Sequence, residues 1–461
     1  MQVPAAVDSA YESSRPRSIV AIPPDPKHFM SLALLLCTAL PFLSLPQESE
    51  ELSGADSGLS VERLRMHDSQ HGNDVTFAVE ACWIGPEADP QLLVSVPEEF
   101  GDQGGLYVLE GTAKYVRRSY TLPGSPVSRL GKRLESVGDV DGDGAGDFVV
   151  FGEVVWPSGQ RFDHAFGISS ATGLVLFEVE GLHSAEVLFS DLVSMEAFDF
   201  DGAGALDFVV QPAGAVERLE VRSGRDGSVL CAFDIGTQVA DERLWSVHLA
   251  EEPGGGLLAL VERLPEADPT WRMQRRLLRV ARDGSVEALE LHLPRRGRVH
   301  GFFDLDGDAE SELVMHRLGL DTGPGGAGGL TSQLAVELVG VDVLSGEAEL
   351  IGTLPPKQIG AAINPRIPQA IGIAEVGRRR VLFTANAYGG WAGDLAAFEI
   401  GRGEPLWTAP WPQQTRHVGA LLSAPARVDG EVVAAFSDGA LIGHGEVRLI
   451  VVRLRDGRKL W

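Results

Sequence analysis

The chain has 461 residues, 55 of them glycine and 27 proline, with 44% hydrophobic residues and a formal net charge of −26. That much punctuation excludes a mainly helical protein and fits many short strands around a sizeable core. The acidity argues against nucleic acid and anionic membrane surfaces as partners.

Residues 1–29 are rich in Pro, Ser and charge and show no hydrophobic period. They read as a disordered leader, or as an upstream over-extension of the reading frame. Met30 opens a different text. The apolar run Ser31-Leu-Ala-Leu-Leu-Leu-Cys-Thr-Ala-Leu-Pro-Phe-Leu-Ser-Leu45 follows Lys27 and His28. A run of this length behind a weakly basic flank is a signal-peptide core and is short for a membrane span. Residues 30–46 are therefore expected to direct export, which makes the protein secreted, periplasmic or cell-surface. Only an uncleaved anchor would tie it to a membrane. Residues 47–60 form a polar linker.

Past residue 75 the chain repeats itself: a strand, a glycine turn, a second strand. The turn glycines are Gly111, Gly173, Gly227, Gly284, Gly346, Gly403 and Gly457, separated by 54 to 62 residues. Asp-Gly and Ser-Gly at several of these turns are hairpin chemistry. Each copy also carries an earlier strand pair. These pairs begin near Val75 and Leu92, Arg133 and Phe148, Ser194 and Phe208, and Trp245 and Leu257. The last three begin near Val299 and Leu313, Ala370 and Val381, and Ala420 and Val432. Four strands in each of seven copies predict an all-β fold, a seven-bladed β-propeller of four-stranded blades, over residues 61–461. Residues 59–66 alternate weakly and are expected to pair with the last blade and close the ring. Cys82 and Cys231 fall in different blades and read as single buried thiols.

Between the first two strands of blade two lies Gly138-Asp139-Val140-Asp141-Gly142-Asp143-Gly144-Ala145-Gly146-Asp147. Alternate side chains of such a loop turn inward on one point, and Gly142 and Gly144 allow the tight bend. Carboxylates held so close repel one another without a cation. Hard oxygen donors at this density suit Ca²⁺, which takes ~6–8 oxygens. Asp139, Asp141, Asp143 and Asp147 are the expected ligands, with the Ala145 carbonyl as a fifth. An EF-hand shares the opening but needs Glu at its twelfth position, where Val150 stands. The competing reading is an acidic surface turn that binds nothing. In the same register, blade three has Asp199, Asp201 and Asp207, with Ala203 in place of one ligand. Blade five has Asp304, Asp306, Asp308 and Glu312, with Ala309 in place of a glycine. Donor count ranks blade five above blade three for calcium. Blades one, four, six and seven lack the set.

The stretch from Leu130 to Val150, with its Gly-Asp-Val-Asp-Gly-Asp-Gly core, resembles the FG-GAP repeat of integrin α-subunit propellers and related bacterial secreted (VCBS-type) proteins. Leu92-Leu-Val-Ser-Val with Gly104-Gly-Leu-Tyr-Val-Leu is similar to the same repeat without its metal loop. The resemblance implies a seven-bladed propeller with calcium in loops at one face. It also implies adhesion or binding, with ligands met on the opposite face.

No Gly-x-Ser-x-Gly elbow or His-Glu-x-x-His pair is present. His67 and His71 precede the first blade, and His300 reads as a residue packed at a strand end. His164, His183, His248, His292, His316, His417 and His444 are scattered over the blades. Trp407 and Trp461 end Gly-x-x-Leu-Trp turns similar to those of quinone-dependent dehydrogenase propellers, with blade packing the simpler role. Tyr388 and Trp391 sit in a glycine-rich loop that could meet a carbohydrate or tuck down as a plain hairpin. Residues 323–329 are a glycine-rich insertion in blade five. The expected function is binding or adhesion through an extracellular protein or carbohydrate ligand, with calcium structural. The rival is a propeller enzyme acting on extracellular polysaccharide, or a quinone-dependent oxidoreductase.

Overall fold

Hairpin-linked strands pair with their chain neighbours, and each repeat accordingly folds as an antiparallel sheet in chain order. In this computed structural model, structure is described for residues 81–460, apart from 85–90, 97–103, 110–115, 121–126, 184–192, 195–197, 237–241, 266–272, 294–296, 321–333, 411–424, 439–447 and a few shorter gaps. The expected leader, export segment, linker, closing strand at 59–66 and glycine-rich insertion lie outside the described residues, as do His67, His71, His417, His444 and Trp461.

The sheets form a ring of seven blades. Blade one comprises Ala81–Ile84, Gln91–Val96, Gly105–Leu109 and Val116–Tyr120. In blade two, Val127–Ser128 and Leu134–Gly138 both pair with Asp147–Val155, followed by Arg161–Ile168 and Val175–Leu182. Blade three comprises Phe208–Val210, Arg218–Arg222 and Val229–Asp234, and blade four Glu242–Glu252, Gly256–Pro265, Gln274–Val280 and Val286–Leu289. Blade five is Arg298–Phe303, Glu312–Leu320, Leu334–Val341 and Ala348–Leu354. Blade six is Ile367–Val376, Arg379–Tyr388, Trp391–Glu399 and Pro405–Pro410, and blade seven is Ala426–Val428, Glu431–Asp438, Arg448–Arg453 and Arg458–Lys459. Six of the seven turn glycines are described: 173, 227, 284, 346, 403 and 457 all have φ between 70° and 82°, a region that favours glycine.

What makes these sheets a ring is the pattern of burial. A strand buried on both faces sends alternate side chains to opposite neighbours. In blade one, Leu93 packs towards blade two with Phe148 and Val150, while Leu92 and Val94 pack on Val433, Ala435 and Val451 of blade seven. In blade seven, Ala434 and Phe436 turn the other way, onto Phe383 and Ala385 of blade six. The remaining apolar clusters join blades two and three, three and four, four and five, and five and six in the same manner. Every blade thus shares one cluster with each neighbour, and the seventh interface closes the circle. Trp407 reinforces one joint. Its indole Nε1 donates to the Leu454 carbonyl at 2.8 Å, and the ring lies where a Gly457 side chain would be. This is the blade-packing role expected for it.

In three blades the first-strand pairing described is not the one expected, and in two of them the expected residues lie outside the described ones. In blade one the strand is Ala81–Ile84, because the register Ala81↔Val94 to Ile84↔Gln91 puts Cys82 and Ile84 into the blade-two interface; the expected strand at 75–79 lies outside the described residues. In blade three, Val193–Ser194 pairs in parallel with Val247–His248 of blade four. Among the described residues, the blade's own first position shows a bridge between Phe198 and Asp207; 195–197 lie outside them. In blade seven the strand described is Ala426–Val428, held by the tight turn at Asp429-Gly430; the expected strand at 420–424 lies outside the described residues. Cys82 and Cys231 are buried thiols, as expected.

Candidate metal centre

The loop of blade two is closed by its own carboxylates. Asp139 Oδ1 accepts the amides of Gly142 (2.8 Å) and Asp143 (3.1 Å), and its Oδ2 accepts Gly144 (2.9 Å). Asp141 Oδ1 accepts the Asp143 amide, and Asp143 Oδ1 accepts that of Ala145. Such wrapping requires left-handed backbone at Gly142 and Gly144, whose φ values are 80° and 87°. Asp147 differs from the rest because it is fully buried. Its Oδ2 accepts the Val140 amide (2.9 Å) and its Oδ1 the Ser170 amide (2.9 Å). That carboxylate therefore ties the loop to the turn between the third and fourth strands.

Blade three repeats this arrangement. Asp199 accepts the amides of Ala203 and Gly204, and Asp201 that of Ala203. Asp207 accepts Phe200 N–H (2.8 Å) with Oδ2 and Gly224 N–H (3.0 Å) with Oδ1, the counterparts of Val140 and Ser170. In blade five, Glu312 Oε2 accepts the Leu305 amide at 2.8 Å, again from the residue after the first aspartate. Asp304, Asp306 and Asp308 accept Gly307, Asp308 and Glu310 amides.

Each loop gathers three carboxylates with one oxygen apiece inside 4.8 Å: Asp139, Asp141 and Asp147; Asp199, Asp201 and Asp207; Asp304, Asp306 and Asp308. Calcium–oxygen distances of about 2.3–2.6 Å make that span the diameter of one coordination shell. The first two sets include a buried carboxylate, and the third does not. Asp143 and Glu312 are not in these sets, and Ala145 is placed through its amide. Burial raises the Asp147, Asp207 and Glu312 carboxyls above the usual range, Asp207 to about 6. Backbone amides only partly offset the effect, and the neighbouring aspartates add to it.

Sequence reasoning left the histidines scattered, but three of them meet between blades four and five. His300 Nε2 lies 2.7 Å from His316 Nδ1, and His248 Nε2 lies 3.4 Å from Glu262 Oε2. Ser246 Oγ donates to the same Glu262 oxygen at 2.7 Å. Arg275 donates from Nε to Glu262 Oε1 (2.7 Å) and from Nη2 to the Gly297 carbonyl (2.7 Å). Burial pushes Glu262 up, but His248, Arg275 and Ser246 together hold it down to about 2. Burial, with the Arg298 charge, lowers His316 to about 4. Burial also takes His300 well below its ordinary value, helped by His316, Arg298 and His248. These residues sit on five different strands, and no spacing in the sequence relates them. His164 lies apart in blade two, 2.9 Å from Glu178. Tyr388 and Trp391 pair in register across the hairpin of blade six.

No protein-family model matches the chain, and no curated protein matches it. Among solved structures it is similar to a mutant of AofleA from Arthrobotrys oligospora, at 8% identity over 83% of this chain and 85% of that one, with a TM-score of 0.36.

Proposed function

We propose that this protein is an exported binding module, a propeller of the FG-GAP type whose aspartate loops hold calcium as a structural element. One observation carries the metal reading. Two loops from successive blades place equivalent aspartates, Asp139, Asp141 and Asp147 and then Asp199, Asp201 and Asp207, in the same close grouping with the same buried member. Three carboxylates so placed repel one another, and a divalent cation with a taste for oxygen offsets that repulsion. Asp143 and the Ala145 carbonyl belong to the first loop's proposed ligand set. Asp139, Asp141 and Asp147, and likewise Asp199, Asp201 and Asp207, would hold the ion, whose charge would offset their mutual repulsion. The residues themselves then fasten the first two strands to the turn beyond. Export rests on the apolar run at 31–45, and the partner is an extracellular protein or carbohydrate. An acidic chain of net charge −26 suits a neutral or basic surface.

The rival, a propeller enzyme, draws on the His248, Glu262, His300 and His316 cluster. Its chemistry points the other way. Ser246 donates a hydrogen bond to Glu262, but His248 and Arg275 help hold that carboxyl down to about 2, which makes it a poor base for activating the hydroxyl. Arg275, His248 and Ser246 all converge on that one carboxylate, which leaves it committed to packing.

The test is thermal unfolding of the full chain with calcium and then with chelator. Ligand linkage predicts a gain of roughly 3 kcal/mol at a calcium concentration a hundredfold above the dissociation constant. An unchanged melting temperature would overturn the metal reading and turn attention to the histidine cluster.

A further inference from the structure

The blade-five loop carries the fuller set of acidic residues, yet it differs from the other two in what faces it. Arg380 enters from blade six. Its Nη1 donates to both the carboxylate Oδ1 and the carbonyl of Asp304, each at 2.5 Å. The guanidinium lies along Gly307, with Cζ 3.5 Å from the position a β-carbon would take there. Asp304 is the first residue of the loop, equivalent to Asp139 and Asp199, whose carboxylates accept only amides of their own loops among the contacts described. We propose that Arg380, rather than a metal ion, is the cation of the blade-five loop, so that of the three aspartate loops described only those of blades two and three hold calcium. The stoichiometry rests on the calcium reading above; the Arg380–Asp304 pairing does not.

Three features support the assignment. A fixed guanidinium on the first aspartate places like charge where a divalent cation would bind. The residue that anchors the loop is Glu312, one methylene longer than Asp147 or Asp207. It takes the Leu305 amide but is not grouped with the other three carboxylates. The grouped trio of Asp304, Asp306 and Asp308 is consequently without a buried member. The source of Arg380 is also informative. It stands at the second position of the strand Arg379–Tyr388, just after the turn at Gly377 that occupies the metal-loop position of blade six. Blade six, which has no aspartates there, extends a cation into its neighbour's loop instead. Donor count alone had ranked blade five above blade three, and the arginine reverses that order.

The experiment is calcium titration of the full chain by calorimetry, for the wild type, Arg380→Gln and Arg380→Lys, with melting temperatures in calcium and in chelator. Two ions are expected for the wild type and for Arg380→Lys, which keeps a cation in place, and three for Arg380→Gln. Asp304→Asn should lower the melting temperature equally in calcium and in chelator, whereas Asp199→Asn should do so only in calcium. Three ions in the wild type, or an Asp304→Asn effect that vanishes in chelator, would overturn the proposal. If the wild type binds no calcium, the calcium reading fails, and the pairing is decided by a double-mutant cycle of Arg380→Gln with Asp304→Asn in chelator. Non-additive losses sustain Arg380 as the loop's cation; additive losses refute it.

Discussion

Asp141 and Asp147 belong to one loop but are expected to fail in different ways. Asp141 is exposed and accepts one amide of its own loop. Asp141→Asn should therefore leave the chelated protein nearly unchanged and lower the melting temperature only in calcium. Asp147 is buried and satisfies the Val140 and Ser170 amides. Truncation to Ala leaves buried donors without partners, which costs roughly 2–3 kcal/mol in either condition. Urea denaturation in calcium and in chelator separates the two; an Asp147→Ala protein as stable as wild type in chelator would refute the tethering role. This carboxylate grouping was legible in the sequence because a single short loop carries it and its spacing is its geometry. Arg380 was not legible, since 76 positions separate it from Asp304. Only the docking of blade six on blade five brings the two together.

The joint between blades four and five illustrates what strand pattern conceals. Apolar alternation and turn glycines located the blades, and the second strands fell where Phe148, Phe208, Leu257, Leu313 and Val381 had placed them. First strands were less legible. Those of blades one, two and seven are short, and one segment finds its partner in the next blade, where Val193–Ser194 joins blade four. The same cross-blade packing buries His248 and His316 beside Arg275 and Arg298. A histidine whose folded value is lowered stays neutral while the unfolded chain takes up a proton. Its contribution to stability is therefore intact above the unfolded value of 6.5 and is lost as pH falls towards the folded value of about 4. For His316 that amounts to about 3 kcal/mol across the window. His300 acts in the same direction. Glu262, lowered to about 2, adds a further loss below its ordinary value of 4.5. Between pH 8 and pH 4 in chelator, the raised carboxyls of Asp147, Asp207 and Glu312 act the other way, so the readout is the difference: melting temperature should decline more steeply below pH 6.5 in the wild type than in His316→Gln. A parallel decline in the variant would show that the acid sensitivity arises elsewhere.

At the scale of the molecule, the ring poses the question of whether its seam is weaker than its other joints. Blade one and blade seven lie at opposite ends of the described chain, and no turn links them. The sequence suggested closure through residues 59–66, which lie outside the described residues, but it could not indicate that the blade faces themselves meet. They do so with the same chemistry as elsewhere: Leu92 and Val94 pack on Val433, Ala435 and Val451. Ala435 at the seam and Ala396 at the joint of blades five and six are both fully buried. An aspartate at either place buries a charge without a partner, which is costly wherever it occurs. If the seam is an ordinary joint, Ala435→Asp and Ala396→Asp should lower the melting temperature by similar amounts. Each should unfold in one transition, followed alike by far-ultraviolet circular dichroism and tryptophan fluorescence. A weak seam would behave differently. Ala435→Asp would then be tolerated far better than Ala396→Asp, or would split unfolding into two steps as the end blades peeled away. The equal outcome is expected because opening any one joint leaves two apolar faces in water, and a closed ring offers no end from which that loss is smaller.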